Sequence, residues 1–130
     1  MNQQSTISFD RADLLARLES MSELGIDSLS FGVIGFTGGG IVCRYNDYEA
    51  KAAVREQKNV LGHELFTVVA PCMNNYLIAQ RFEDAGETGI SLDETIDYVL
   101  TWKMRPIKVK LRMLFSPDIP TRYVLIHRLV

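Results

Sequence analysis

ETIDYVLTWKM (residues 94–104), PIKVKLRMLF (106–115) and TRYVLIHRLV (121–130) decide the fold class. Each run alternates apolar and polar side chains, as antiparallel strands do when one face meets a core and the other meets water. Pro106 is expected in the turn between the first two runs, and SPDIP (116–120) makes the second turn. Upstream, LSFGVIGF (29–36) reads as a strand that stops at TGGG (37–40), and IVCRYN (41–46) returns as its hairpin partner. TGGG lacks the Lys-Ser/Thr that would follow in a phosphate loop, so its glycines are assigned to the turn.

The remaining segments read as helices and connectors. FDRADLLARLESM (9–21) places Leu14, Leu15, Leu18 and Met21 on one helical face, with Asp10 as the expected N-cap. ELGIDSLS (23–30) reads as a connector. DYEAKAAVREQKNVLGHELFTVVAPC (47–72) alternates short helical pieces with breakers. A longer helix is expected from Asn75 to Gly89, with Tyr76, Ile78, Ala79 and Phe82 at its apolar positions and glycines at its end. A helix, a hairpin, short helices, a longer helix and three strands make an α+β domain with a central five-stranded antiparallel sheet flanked by helices. PAS domains have this order of elements.

Composition limits the function classes. The chain has 130 residues, 47% of them hydrophobic and 23% charged, as expected for one globular domain. It divides into an N-terminal cap (1–28) and a core (29–130). A net charge of −2 without a basic tract argues against nucleic acid, and no apolar run approaches the length of a membrane span. The N-terminus lacks the basic-then-apolar order of a secretory signal, so a cytoplasmic location is expected, with Cys43 and Cys72 as thiols. His63 and His127 are not in ligand spacing with another His or Cys, so no metal site is expected. Read alone, Cys72 is a small buried hydrophobe. Likewise Glu49 is a solvated helix residue and Tyr45 a strand-end core residue.

Several words, in order and at matching spacing, change that reading. FGVI (31–34), RYNDYE (44–49), VLGHELFTVVAPC (60–72) and KMRPIKVKLRM (103–113) resemble the photoactive yellow protein family. Val-Ala-Pro-Cys at 69–72 is the most specific of them, and Met-x-Pro-x-Lys-Val-Lys at 104–110 also matches. The resemblance runs from about residue 24 to the C-terminus, and the N-terminal helix has a counterpart in the family's N-terminal cap.

The resemblance implies a light sensor that is not a turnover enzyme. The cysteine matched by Cys72 carries p-coumaric acid (4-hydroxycinnamic acid) as a thioester. Residues matched by Tyr45 and Glu49 hydrogen-bond its buried phenolate. The residue matched by Arg55 shields the pocket, and that matched by Met104 packs near the ring and speeds dark recovery. Ile34 and Pro71 are further pocket positions. Three positions depart from the family: Ala53 replaces a threonine that supports the tyrosine, Leu100 a phenylalanine of the wall, and Trp102 a tyrosine beside the chromophore.

The residue types suit this chemistry. A cysteine thiolate accepts an activated acyl group. Tyr45 and Glu49 are four apart, so on one helical turn they would share a side. A buried carboxyl prefers its neutral form and can then donate to a phenolate. Light-driven isomerisation with proton transfer from Glu49 would leave a buried charge, and loosening of the N-terminal helix would relieve it. Output would pass to a separate signalling protein from a monomer or weak homodimer. Two other readings share the pocket: a PAS-type ligand-binding or interaction module without chromophore, and an enzyme using Cys72 as a transient acyl carrier.

Overall fold

The computed structural model describes residues 7–102 and 105–129. Five strands, β1 (Gly32–Phe36), β2 (Val42–Tyr45), β3 (Leu92–Trp102), β4 (Arg105–Phe115) and β5 (Arg122–Arg128), form one sheet in the order β2-β1-β5-β4-β3. All neighbours are antiparallel. The first hairpin therefore joins the last three strands through β5, and β1 lies beside the chain's final strand. Pro106 lies inside β4 opposite Thr101, not in the turn. β5 pairs with β4 only from Val109 onward, so the missing N–H of Pro106 removes no bond on that side.

Helices cover both faces. α1 (Leu14–Ser20) and α2 (Glu23–Asp27) precede the sheet, α3 (Asp47–Ala52) follows β2, and α4 (Ala79–Thr88) precedes β3. The helix expected over 9–21 begins only at Leu14, and Asp10 does not cap it. The carbonyls of Phe9 and Arg11 instead accept hydrogen bonds from Arg112, which holds this stretch out of the helix. The expected connector at 23–30 contains α2, capped by the Ser22 hydroxyl accepting from the Gly25 N–H. The helix expected from Asn75 starts at Ala79, because the Asn75 side chain takes the N–H groups of Leu77 and Ile78 in a local turn. Tyr76 is consequently exposed, while Ile78 and Phe82 are buried as expected. Gly89 ends α4 at φ +70°, a conformation that favours glycine.

Strand alternation sorts the core into two halves. Ile34, Phe36, Leu111, Met113, Val124 and Ile126 pack with α4 and the 57–73 turns. On the opposite face, Val33, Leu114, Tyr123 and Leu125 pack against Ile7, Phe9, Leu14, Leu18 and Ile26 of the N-terminal segment. Two buried arginines fasten that segment to the sheet. Arg112 donates to the Phe9 and Arg11 carbonyls at 2.8 Å each while pairing with Asp93. Arg44 donates to the Leu18 and Met21 carbonyls at 2.6 Å and to the Tyr123 hydroxyl at 2.9 Å. Buried charges are tolerated when hydrogen-bonded in this way.

Candidate functional site

The site is built where β2 becomes α3. Val42 lies opposite Phe36 but Arg44 lies opposite Gly35, so β2 carries one extra residue, Cys43, as a bulge. Strict alternation would put Val42 and Arg44 on one face. With the bulge, Arg44 turns toward the N-terminal segment and Tyr45 toward the helical side. Tyr45 is thus a strand residue, and the helical spacing expected to align it with Glu49 is not what brings them together.

Asn46 makes the turn into α3. It is fully buried, and its Oδ1 accepts from the N–H groups of Val33 and Glu49. Its Nδ2 donates to the carbonyls of Ile26 and Phe31. One side chain therefore caps the helix bearing Glu49 and grips the end of α2.

Glu49 faces into the core with only 4% of its surface exposed. Its carboxylate forms a fork with Arg128 at the end of β5, with Nη1–Oε1 2.8 Å and Nη2–Oε2 3.0 Å. Both carboxylate oxygens act as acceptors in this geometry, which suits the ionised form. Burial pushes the Glu49 carboxyl up from its ordinary value, and the hydrogen bonds and charge of Arg128 oppose that push. Burial also works to lower Arg128, but Glu49, with Tyr48 and Tyr45, raises it overall. The Tyr45 phenol is pushed far upward by burial and by the Glu49 charge, so it remains a hydrogen-bond donor. Gly32 makes room for the carboxylate, since a Cβ there would lie 2.1 Å from Glu49 Oε1.

Cys72 sits at the middle of a single turn, Pro71–Met73, half-buried against the helical-side core. Its carbonyl accepts from the Tyr98 hydroxyl at 2.5 Å and from Asn75 Nδ2 at 3.3 Å, and Asn75 Nδ2 also reaches Tyr98 at 2.6 Å. The backbone carrying the thiol is therefore pinned to β3.

These elements line a cavity of about 290 Å³, with Cys72 on one wall and Tyr45, Glu49 and Arg128 among its other lining residues. Ile34, Ala53, Arg55, Pro71 and Leu100 also line it. Met104 and the side chain of Trp102 lie outside the described residues. Arg55 follows Val54, whose φ of +55° is unusual for a β-branched residue. The Val54 and Arg55 N–H groups return to the carbonyls of Lys51 and Ala50, closing α3 as glycine at position 54 ordinarily would.

Sequence reasoning missed Arg128, Gly32, Asn46 and the Tyr98–Asn75 clamp. A glycine inside a strand signals close approach by another group, but not which group. Arg128 falls in phase with Val124 and Ile126, so alternation places it on the pocket face once β5 is known to lie beside β1. That adjacency joins residues far apart in the chain. No group of three or more His, Cys, Asp and Glu side chains suited to a metal occurs among the described residues. No helix among them is long and apolar enough to cross a membrane.

No protein-family model matches the chain. Photoactive yellow protein from Halochromatium salexigens is 33% identical over 107 residues, covering 82% of this chain and 85% of that protein. The protein of the same name from Rhodothalassium salexigens is 31% identical over 107 residues, with the same coverage of 82% and 85%. Among solved structures, the photoactive yellow protein domain of the sensor histidine kinase Ppr from Rhodospirillum centenum superposes with a TM-score of 0.79 at 30% identity. It covers 87% of this chain and 98% of that domain. The PAS domain of the Cronobacter turicensis quorum-sensing receptor RpfR, 10% identical with a TM-score of 0.61 and coverages of 81% and 99%, shares the fold. By sequence and by architecture, the chain belongs to the photoactive yellow protein family of PAS-type photosensors.

Proposed function

We propose that this chain is a blue-light receptor that carries p-coumaric acid as a thioester on Cys72, with its phenol end directed toward Tyr45 and Glu49. The observation supporting this reading is one cavity lined by a half-buried thiol, a phenol donor and a buried carboxyl. Its volume of about 290 Å³ is near the lower end of ligand pockets, roughly 300–1,000 Å³, which suits a single-ring acid. When bound, the group would supply a double bond that light isomerises from trans to cis and an oxygen that can hold or accept a proton.

The chain's own residues would do the rest. Cys72 would hold the acyl end, with its backbone fixed by Tyr98 and Asn75. Tyr45 would donate to the phenolate oxygen, and Ala53 offers no hydroxyl to support it. Arg55 would shield the cavity from water. Glu49, once protonated, would donate to the ring oxygen and then transfer its proton there as the signalling trigger. Met104 and Trp102 would complete the pocket.

Asn46 links the helix bearing Glu49 to the end of α2, so charge on Glu49 has a direct route to the N-terminal segment. In this reading residues 1–28 are a cap that loosens from a core of residues 29–130. A monomer or weak homodimer would then pass the signal to a separate protein in the cytoplasm.

The test is reconstitution of the purified chain with activated p-coumaric acid, followed by intact mass and absorption spectrum, with Cys72→Ala as control. One adduct per chain that is absent from the control is expected. No adduct, or equal labelling of the control, overturns the assignment. A second reading, a PAS-type pocket for a noncovalent ligand, draws support from Ala53 in the cavity wall. Thermal stabilisation by a small aromatic acid without any adduct would favour it.

A further inference from the structure

The Glu49–Arg128 fork raises a question about the site, because a carboxylate accepting from two guanidinium N–H groups has no proton to give. Glu49 can donate to a ligand only when it is protonated and at least one of those contacts has opened. The structure therefore shows the arrangement of a charged Glu49, and the residue that holds the charge is Arg128. The pair is deeply placed, with side-chain exposures of 14% for Arg128 and 5% for Glu49. The Arg128 guanidinium also lies 5.8 Å from the centre of the Tyr48 ring, which supports it from α3.

We propose that Arg128 is a positioning residue that receives the Glu49 carboxylate after its proton leaves, and so sets how long the charged state of the pocket lasts. This inference rests on the photoreceptor reading for its role in the light cycle. In the step concerned, the O–H bond of Glu49 breaks and an O–H bond forms at the ligand's phenolate oxygen. The negative charge passes to the carboxylate, and two Arg128 N–H groups bind it in the observed fork.

Among the described residues, the side-chain hydrogen bonds shown to the Glu49 carboxylate come from Arg128. Tyr45 on β2 and Tyr48 on α3 are phenols. Arg55, beyond the end of α3, lines the cavity, but the fork is made by Arg128. Among the described residues, Cys72 is the one further titratable residue on the wall. A buried carboxylate left without its partner is strongly disfavoured. Arg128 thus converts the loss of a proton from a large disturbance into a move from one hydrogen-bonded arrangement to another.

The experiment has two arms. In the chromophore-free chain, infrared difference spectra against Glu49→Gln report whether Glu49 is protonated as pH is varied. The wild type is expected to show an ionised Glu49 at neutral pH. Arg128→Gln should show the protonated carboxyl band there, and Arg128→Lys should restore ionisation by keeping the charge. In the chromophore-loaded protein, Arg128→Gln should shorten the light-activated state by roughly tenfold or more, as expected for losing a charge-assisted hydrogen bond, and Arg128→Lys should fall between.

A neutral Glu49 at pH 7 in the wild type, or one titration curve shared by all three proteins, overturns the proposal. So does an unchanged lifetime in Arg128→Gln. If Arg128→Gln fails to fold, the wild-type and Arg128→Lys titrations still decide it. If no adduct forms, the chromophore-free arm still tests the pairing, so its failure is distinct from failure of the photoreceptor assignment.

Discussion

Replacing Gly32 with alanine should disturb Glu49 more than any direct contact of the new methyl group suggests. The added Cβ would stand 2.1 Å from Glu49 Oε1 and 3.1 Å from its Cδ, whereas real Cβ contacts essentially never fall below 3.0 Å. The oxygen must retreat by about 0.9 Å, the difference between 3.0 and 2.1 Å. The methyl has little room to back away, because Ile126 Cβ is 3.3 Å from it, and Arg128 holds both carboxylate oxygens. Losing one of the two charge-assisted bonds costs about 1.5–3 kcal/mol. Losing both would approach the roughly 3–5 kcal/mol of a broken buried ion pair.

Urea unfolding of the chromophore-free chain would measure this. With an m-value of about 1–3 kcal/mol/M, the midpoint should fall by roughly 1 M. The informative comparison is Gly32→Ala in a Glu49→Ala background, where the obstructing carboxylate is gone. There the alanine should be neutral or slightly favourable, since Gly inside a strand costs roughly 0.5–1 kcal/mol relative to Ala. Equal destabilisation in both backgrounds would show that the methyl clashes with the sheet rather than with Glu49, and the argument for Gly32 would fail.

Two further changes probe the elements around the cavity. Val54→Gly should stabilise the chain by about 1 kcal/mol, because a left-handed β-branched residue carries about 1–3 kcal/mol of strain and glycine returns part of that as unfolded-state entropy. Thermal melting should rise by roughly 4 °C, and a fall would mean that the valine side chain has a packing role its exposure of 70% does not suggest. Asn46→Ala should cost about 3 kcal/mol, since it strands buried backbone groups of Val33, Glu49 and Phe31 at once and removes its bond to the Ile26 carbonyl. Hydrogen exchange should quicken in both α2 and α3, and a loss of protection confined to α3 would contradict the link between them.

Much of the sheet was legible because the last three runs keep apolar/polar alternation, and the hairpin because TGGG has little else to do. Helix ends were less legible. Phe9 and Arg11 give their carbonyls to Arg112, more than a hundred positions away, and no local propensity records that bond. The cavity residues Cys72, Tyr45 and Glu49 could be named because they sit in words resembling a known family, and Ala53 and Arg55 because they lie between those words at matching spacing. The partner of Glu49 could not. The period-two pattern assigns Arg128 to a face, but which carboxylate waits there depends on β5 lying between β1 and β4.

The extra residue at Cys43 has a consequence for how this hairpin can change length. The TGGG loop lies outside the strand pairing, so inserting or deleting residues there leaves the phase of β2 intact. Removing Cys43 itself would restore regular pairing, with Val42, Arg44 and Tyr45 opposite Phe36, Gly35 and Ile34 and still on their observed faces. Drawing Cys43 into the ladder in place of the bulge would instead exchange the directions of Arg44 and Tyr45, turning a guanidinium toward the cavity and a phenol under the N-terminal segment. The two faces of the domain are thus bound to a common reading frame. A one-residue slip of β2 at Cys43, three positions past Gly40, would therefore disturb the pocket and the N-terminal anchor together.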